Sequence, residues 1–241
     1  MLSKADQKRI KALQESKARA AEGCFVAEGL KLTEELLGHF VCELLVLPER
    51  RYLELEPLLR RLPKGTAPER LELVPDSFDW TRISGLKQPQ PQLAVLRLPQ
   101  PSTPEKPEGL CLFLDRVQDP GNVGTILRTA DAVGVTGVIL LRGSADIYSG
   151  KVVRATMGSL FHVPFVTGVT AAELAGFAQK EGLQFLATSC DAGAETHFSA
   201  DFRRGSSVVF GNEANGVSEE ILTVSQHIYI PMRGAAESLN V

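Results

Sequence analysis

Short apolar runs alternate with amphipathic stretches in the C-terminal half of the chain. The runs lack polar alternation, which predicts strands buried on both faces of a sheet. The strand candidates are Leu110–Asp115, Gly137–Leu141, Gln184–Ser189, Ser207–Gly211 and Ile228–Met232, and the helix candidates between them are Val123–Val133, Val152–Leu160, Ala171–Glu181 and Ser218–Val224. Strands of this kind separated by helices predict an α/β fold with a parallel sheet.

The N-terminal part has its own pattern of shorter elements. A helix is predicted over Lys4–Ala21. The further strand candidates are Val41–Pro48, Arg70–Pro75 and Gln92–Pro99, and the helix candidates are Gly29–His39 and Leu53–Leu62. This pattern predicts a small α/β domain.

A proline-rich stretch divides the two patterns. Arg97–Gly109 contains four prolines, which lack the amide donor and fix φ, so the stretch is neither a helix interior nor a central strand. We expect a semi-extended linker at 99–108 between a domain at 1–98 and a domain at 109–241.

Composition narrows the class of protein. The 241 residues are 44% hydrophobic, enough for one large core or two modest ones, and no apolar run approaches the length of a membrane span. The charged N-terminus lacks the apolar region of a secretory signal. The four cysteines and four histidines are scattered, which predicts neither a disulfide framework nor a metal site. We therefore expect a cytoplasmic protein without a membrane partner.

Charge is divided unequally along the chain. Residues 1–107 carry 17 Lys and Arg against 15 Asp and Glu, whereas residues 108–241 carry 9 against 14. The first twenty residues have a net charge of +4. This basic segment indicates either contact with a polyanion or a solvated helix face laced with ion pairs, and composition alone favours the second interpretation.

The first of three polar loops follows the first strand of the C-terminal part, in "DPGNVGTILRTADAVG". It lacks the Gly-Lys-Ser/Thr of a Walker loop and the GxGxxG of a dinucleotide loop. A tight turn remains, with Asn122 near a helix N-terminus and Arg128 further along. The alternative is a capping turn in which Arg128 pairs with Asp131.

The second and third loops also lie at strand ends. Phe210–Glu220 is rich in Gly and Asn, which suits close approach of the backbone to a ligand, although Ser218 could simply cap the next helix. Ile230–Val241 contains Ser238, Leu239 and Asn240, a mixture that could line a pocket or belong to a frayed tail. Ligands of parallel sheets bind where the carboxyl ends of strands meet their loops.

These three loops, in this order, resemble the motifs of the SpoU–TrmH family. Its members are RNA ribose 2′-O-methyltransferases of the SPOUT class that use S-adenosylmethionine. Lys151–Val166 is similar to the family's region after the first motif, so the resemblance covers Leu110–Val241. In the N-terminal part, Ala18–Leu37 resembles a substrate-binding domain with an L30e-like fold.

The resemblance implies a fold, a cofactor and roles for residues. It implies a parallel-sheet SPOUT domain with a trefoil knot behind a small L30e-like domain, an S-adenosylmethionine cofactor, an rRNA or tRNA substrate and a homodimer. The active-centre positions are Asn122, Arg128, Glu213, Ser238 and Asn240, and the cofactor positions are Thr188, Gly211, Ile230, Met232 and Leu239. Candidate RNA contacts are Lys8, Lys11 and Lys17 of the basic N-terminus and Arg154 of the similar stretch.

The chemistry of methyl transfer qualifies the role of Arg128. The ribose hydroxyl is a poor nucleophile unless its proton is removed or hydrogen-bonded away. A guanidinium stays protonated and is a poor base. We therefore expect Arg128 to grip the adjacent phosphate and stabilise developing alkoxide charge, with Asn122 and Glu213 orienting Arg128 or the ribose.

Two other functions fit the same residues. One is a SPOUT methyltransferase that acts on a base nitrogen, and the other is a non-catalytic RNA-binding module. The resemblance also implies an apolar helix after "SLNV", whereas this sequence stops at Val241. If Val241 is the true terminus, we expect weak cofactor binding and poor dimerisation.

Overall fold

The computed structural model describes residues 2–99, 109–189, 191, 193–202, 206–234 and 239–241. The chain forms two compact units. Unit 1 comprises Met1–Gln100 together with Asp146–Phe161, and unit 2 comprises Pro101–Ala145 and His162–Val241. The predicted linker at 99–108 lies outside the described residues except for Pro99.

The secondary structure follows the sequence pattern in most places. The helices are α1 (Lys4–Ala12), α2 (Ser16–Glu22), α3 (Leu30–Leu36), α4 (Glu49–Leu59), α5 (Pro120–Val133), α6 (Gly150–Ala155), α7 (Ala171–Glu181) and α8 (Glu219–Leu222). The strands are β1 (Cys24–Glu28), β2 (Cys42–Pro48), β3 (Arg70–Val74), β4 (Leu93–Arg97), β5 (Cys111–Leu114), β6 (Gly137–Leu141), β7 (Phe165–Val169), β8 (Phe185–Thr188), β9 (Glu195–Thr196), β10 (Ser207–Phe210) and β11 (Ser225–Tyr229). Among the described helices, none is long and apolar enough to cross a membrane.

Unit 1 is built on a mixed sheet of four strands in the order β1-β4-β2-β3. Strand β4 runs antiparallel to both neighbours, whereas β2 and β3 are parallel. Its buried core includes Ile10 and Leu13 from the N-terminal helical region and Leu93 and Val95 from β4. The predicted small α/β domain is confirmed.

Two predictions for the N-terminal region are wrong in detail. The single helix over Lys4–Ala21 is broken between α1 and α2, where the Arg19 guanidinium donates to the carbonyl oxygens of Leu13 (2.9 Å) and Gln14 (2.7 Å). The pattern also missed β1. All five of its residues are buried, including Glu28, so the strand shows no alternation and is too short to stand out.

Unit 1 also takes in a segment from the C-terminal half of the chain. Asp146–Phe161 contains α6 and a 3₁₀ turn, and Arg19 pairs with Asp146 at 2.6 Å. The Tyr148 ring packs against the Phe25 ring of β1, with centroids 5.0 Å apart. A segment that follows β6 in sequence is thus part of the N-terminal unit in space.

Unit 2 contains the predicted parallel sheet. Its seven strands lie in the order β7-β6-β5-β10-β8-β11-β9, and every paired neighbour is parallel. The carboxyl ends of β5, β10, β8 and β11 therefore meet at one edge of the sheet. The pattern missed β7 and β9 and placed β11 three residues too late, because Ser225–His227 is polar.

Candidate active site

The first polar loop is a capped turn that opens α5. The Asp119 carboxylate accepts a hydrogen bond from the Asn122 amide (2.9 Å), and Pro120 occupies the first helical position, where a missing N–H is harmless. The predicted capping turn is therefore confirmed. The predicted ion pair between Arg128 and Asp131 is wrong, because the Asp131 carboxylate lies 3.0 Å from Nδ1 of His162 and does not contact Arg128.

The second polar loop folds back on itself directly after β10. Asn212 and Gly216 exchange two backbone hydrogen bonds of 3.0 and 2.9 Å. A Cβ on Gly211 would lie 2.1 Å from the carbonyl carbon of Gly216 and 2.2 Å from the nitrogen of Val217. Only glycine fits at this position, because both neighbours are backbone atoms.

Two residues that the sequence did not assign hold the first and second loops together. The buried Asn212 side chain donates to the Arg116 carbonyl (2.9 Å) and accepts from the amide of Asn215 (3.0 Å). Asp115 is buried at the end of β5 and accepts from the Ser218 amide (2.5 Å). The sequence signals that could have found them are an acidic residue directly after the apolar run of β5 and an asparagine shortly after the apolar run of β10.

Glu213 joins the second loop to the first. Its carboxylate accepts hydrogen bonds from the side-chain amide of Asn122 (2.9 Å) and from the backbone amides of Gln118 and Asp119 (3.3 Å each). Partial burial raises the pKa of Glu213, but these hydrogen bonds outweigh it and hold the pKa below its ordinary value. The side chain is therefore an anion at neutral pH.

The third loop reaches the same point. The Asn240 side-chain amide donates to Oδ1 of Asn122 (2.9 Å), which produces a hydrogen-bonded chain from Asn240 through Asn122 to Glu213. Three of the five predicted active-centre residues thus come together from loops far apart in sequence. Ser238 lies outside the described residues.

Arg128 is placed differently from these three residues. It lies on α5 six positions after Asn122, and its side chain is exposed. Within the described parts of the chain, its guanidinium forms no ion pair with Asp131 and no hydrogen bond with the Asn122–Glu213 pair. The expectation that Asn122 and Glu213 orient Arg128 or the ribose therefore stays a prediction. In the described residues these two side chains hydrogen-bond to each other and not to Arg128.

The predicted cofactor residues follow three neighbouring strands. Thr188 ends β8 and donates to the Val209 carbonyl (3.1 Å), Gly211 follows β10, and Ile230 follows β11. Ile230 and Leu239 leave 52% and 59% of their surfaces exposed, and Met232 is also exposed. Exposed apolar side chains next to the ends of neighbouring strands suit the apolar faces of an adenine, so Ile230, Met232 and Leu239 fit S-adenosylmethionine.

The candidate RNA contacts lie in unit 1. Lys8 and Lys17 are exposed. The Lys11 ammonium donates to the carbonyl oxygens of Thr81 (3.3 Å) and Ser84 (2.6 Å), so its first role is internal. Neighbouring basic residues of the N-terminus are also neutralised: Arg9 pairs with Glu22 and Glu43, and Arg19 pairs with Asp146. Two of the six cations in the first twenty residues are therefore neutralised by carboxylates within unit 1.

Comparisons with known proteins identify the family of this chain. The model of the SpoU rRNA methylase family matches residues 109–241, which is more than half of the chain. The chain belongs to the SpoU rRNA methylase family. Residues 5–94 match the MRM3-like substrate binding domain. The region that bears all three loops is the methylase region.

Individual relatives extend the match over both units. The 23S rRNA (guanosine(2553)-2′-O)-methyltransferase RlmP of Bacillus subtilis is 34% identical, over 96% of this chain and 89% of its own length. A solved structure of a TrmH-family protein from Porphyromonas gingivalis has a TM-score of 0.87 and 36% identity, covering 100% of this chain and 94% of its own.

A third similar structure was solved with the cofactor. The SpoU methyltransferase AviRb from Streptomyces viridochromogenes, in complex with AdoMet, has a TM-score of 0.82 and 27% identity, covering 99% of this chain and 92% of its own. The protein is an S-adenosylmethionine-dependent RNA methyltransferase that acts on a ribose 2′-hydroxyl. The described residues contain no group of three or more His, Cys, Asp or Glu side chains that could hold a metal ion.

Proposed function

We propose that the substrate of this methyltransferase is 23S ribosomal RNA. The observation that carries the proposal is the extent of the similarity to RlmP, which includes the substrate-binding part of unit 1 as well as the methylase region. A 23S rRNA (uridine(2479)-2′-O)-methyltransferase from Streptomyces viridochromogenes is also 30% identical, over 78% of this chain and 68% of its length. These relatives modify a guanosine and a uridine, so the proposal specifies the RNA and not the base.

The hydrogen-bonded chain of Asn240, Asn122 and Glu213 would orient the target ribose. Asn240 and Glu213 fix the two ends of the Asn122 amide, and its Oδ1 keeps a lone pair that can accept from the 2′-hydroxyl. The exposed, protonated guanidinium of Arg128 would bind the adjacent phosphate and stabilise developing negative charge on the ribose oxygen. For Ser238, an active-centre role is proposed from the resemblance of its motif alone.

The cofactor would lie over the carboxyl ends of β8, β10 and β11. Thr188, Gly211, Ile230, Met232 and Leu239 would hold it, mainly through the backbone and apolar contacts. When bound, S-adenosylmethionine supplies the methyl group. The chain's own contribution is to position the acceptor oxygen, and such positioning accounts for much of the rate of a displacement. The trefoil knot implied by the motifs stays a prediction.

We also propose that the protein works in the cytoplasm as a homodimer. The exposed ring of Tyr229 at the end of β11, which has no role in holding the cofactor, supports an interface there. Light scattering of the purified protein tests the dimer, because a monomeric mass at micromolar concentration would contradict it. Loss of dimerisation in the Tyr229→Glu variant would locate the interface at the end of β11.

The substrate is tested with radiolabelled S-adenosylmethionine and separate samples of 23S rRNA, 16S rRNA and tRNA, each lacking the modification. We expect label in 23S rRNA, and alkaline hydrolysis should leave it in a resistant dinucleotide because ribose methylation blocks cleavage. Label in an ordinary mononucleotide would indicate base methylation, and no label in any RNA would indicate a binding module. Asn122→Ala is the matched inactive control.

A further inference from the structure

Helix α6 of unit 1 presents two neighbouring cations. Lys151 and Arg154 lie one turn apart, so their side chains share a face of the helix. Lys151 is exposed, whereas Arg154 is half-buried, and this burial lowers the pKa of its guanidinium. In the parts of the chain that the structure describes, neither side chain forms a hydrogen bond or an ion pair. Like charges at this spacing repel each other when no anion lies between them.

The surroundings of Arg154 give it no hydrogen-bond partner among the described residues. Its side chain runs back to the start of α6, where Nη1 lies 3.0 Å and Oε1 of Gln14 3.6 Å from the position of a Cβ on Gly150, without a hydrogen bond between the two. The first helical turn offers N–H donors, which cannot accept from a guanidinium. The Glu28 carboxylate attracts Arg154 by its charge, but its oxygens already accept from the Ser84 hydroxyl and two backbone amides.

A buried arginine in the same unit, Arg19, shows the contacts that a structural role involves. Arg19 is buried, donates to two carbonyl oxygens and pairs with Asp146 at 2.6 Å, so its charge and its donors are satisfied. Partial burial removes water from the Arg154 guanidinium, and no hydrogen bond or ion pair within the described residues replaces that water. This loss is unfavourable unless a bound anion offsets it. A guanidinium presents donors in the fork geometry that matches phosphate oxygens.

We propose that Arg154, with Lys151 beside it, binds a backbone phosphate of the substrate RNA. The anchor would lie in unit 1, although its residues come from Asp146–Phe161, within the region that matches the methylase family. It would contribute to RNA binding and not to the chemical step. The proposal rests on the RNA methyltransferase activity and not on 23S rRNA being the target.

The test measures RNA affinity as a function of salt concentration for Arg154→Gln. Loss of one phosphate contact should reduce the slope of log affinity against log salt by about 0.7 to 0.9. We expect affinity at low salt to fall about tenfold, as for a lost charge-assisted hydrogen bond. Arg60→Gln is the matched control, because it makes the same change in unit 1 at a guanidinium that Glu56 already neutralises at 2.8 Å.

Further measurements separate an RNA contact from a structural role. Arg154→Lys keeps the point charge and loses the fork, so it should retain the slope with a smaller loss of affinity. Both variants should raise KM for RNA while kcat, Tm and the Kd for S-adenosylmethionine stay at wild-type values. An unchanged slope and affinity in Arg154→Gln would overturn the proposal. So would a loss of Tm and of cofactor affinity in both variants, which would assign Arg154 to folding.

Different results would contradict the proposed phosphate contact of Arg154 and the proposed 23S rRNA substrate. A wild-type protein that labels tRNA or 16S rRNA but not 23S rRNA contradicts the target, and the salt titration is then run with the RNA that is labelled. An active wild type whose Arg154→Gln variant binds that RNA equally well contradicts the anchor. Lys151→Gln should show a smaller loss than Arg154→Gln, since an exposed ammonium is already hydrated.

Discussion

Replacing Gly211 by alanine tests whether the second loop is held as the structure has it. The new Cβ would lie 2.1 and 2.2 Å from two backbone atoms of Gly216 and Val217, far inside the ordinary contact distance of roughly 3.5 to 4 Å. The loop must therefore move by roughly 1.5 Å, the difference between the ordinary contact distance and these two separations. Neither neighbour is a flexible side chain that could turn away.

The size of the effect follows from what this movement disrupts. Overpacking of a tight site costs about 1 to 3 kcal/mol. Loss of the two backbone hydrogen bonds between Asn212 and Gly216 adds about 1 to 3 kcal/mol. We expect unit 2 to lose about 2 to 6 kcal/mol of unfolding free energy by these two contributions. Cofactor binding and methyl transfer should also be lost, because Asn212 and Glu213 follow directly.

The assay is urea unfolding followed by two signals. The single tryptophan, Trp80, lies in unit 1, so its fluorescence reports on unit 1, whereas far-ultraviolet circular dichroism includes unit 2. Gly176→Ala is the matched control, since Gly176 lies inside α7 with nothing within 4 Å of its would-be Cβ. That change should stabilise by about 0.5 to 1 kcal/mol. A Gly211→Ala protein with wild-type unfolding and cofactor affinity would refute the reasoning.

Three further predictions follow from the site and from unit 1. Arg128→Ala and Arg128→Lys should abolish methylation and leave the Kd for S-adenosylmethionine nearly unchanged. The reason is that only the planar guanidinium of an arginine binds phosphate through two parallel hydrogen bonds at this exposed position. Near-normal turnover in either variant would remove Arg128 from the mechanism. The pKa of Glu213 is depressed on folding, so its contribution to stability is present above its ordinary pKa of about 4.3 and is lost as the pH falls through the lower folded value. Acid unfolding of Glu213→Gln should therefore depend less steeply on pH than that of the wild type, and equal profiles would contradict the assignment. Deleting residues 1–98 should cause aggregation in a sedimentation assay, because it uncovers the buried Val152, Val153 and Leu160 of Asp146–Phe161; a monodisperse, stable fragment would show that this segment needs no partner.

The sequence by itself determined the class of the fold and the chemistry of the loops. Uniformly apolar runs separated by helical periods are enough to predict a parallel sheet, because only such a sheet buries both faces of its strands. The order of the three polar loops then pointed to the family, and Asn122, Glu213 and Asn240 were selected from it. Local capping was also predictable, since Asp119 and Pro120 act within a single turn.

Only the tertiary structure decided which of these residues act together. Asn240 and Asn122 are 118 positions apart, and no local pattern reports a hydrogen bond at that separation. The same holds for Asp115 with Ser218, whose contact depends on β5 and β10 being neighbours in the sheet. Tertiary packing also determines whether a charged side chain has a partner within the protein or is available to bind a ligand. The sequence therefore grouped Lys11 with Arg154, whereas folding gives Lys11 two carbonyl partners and leaves Arg154 with none among the described residues.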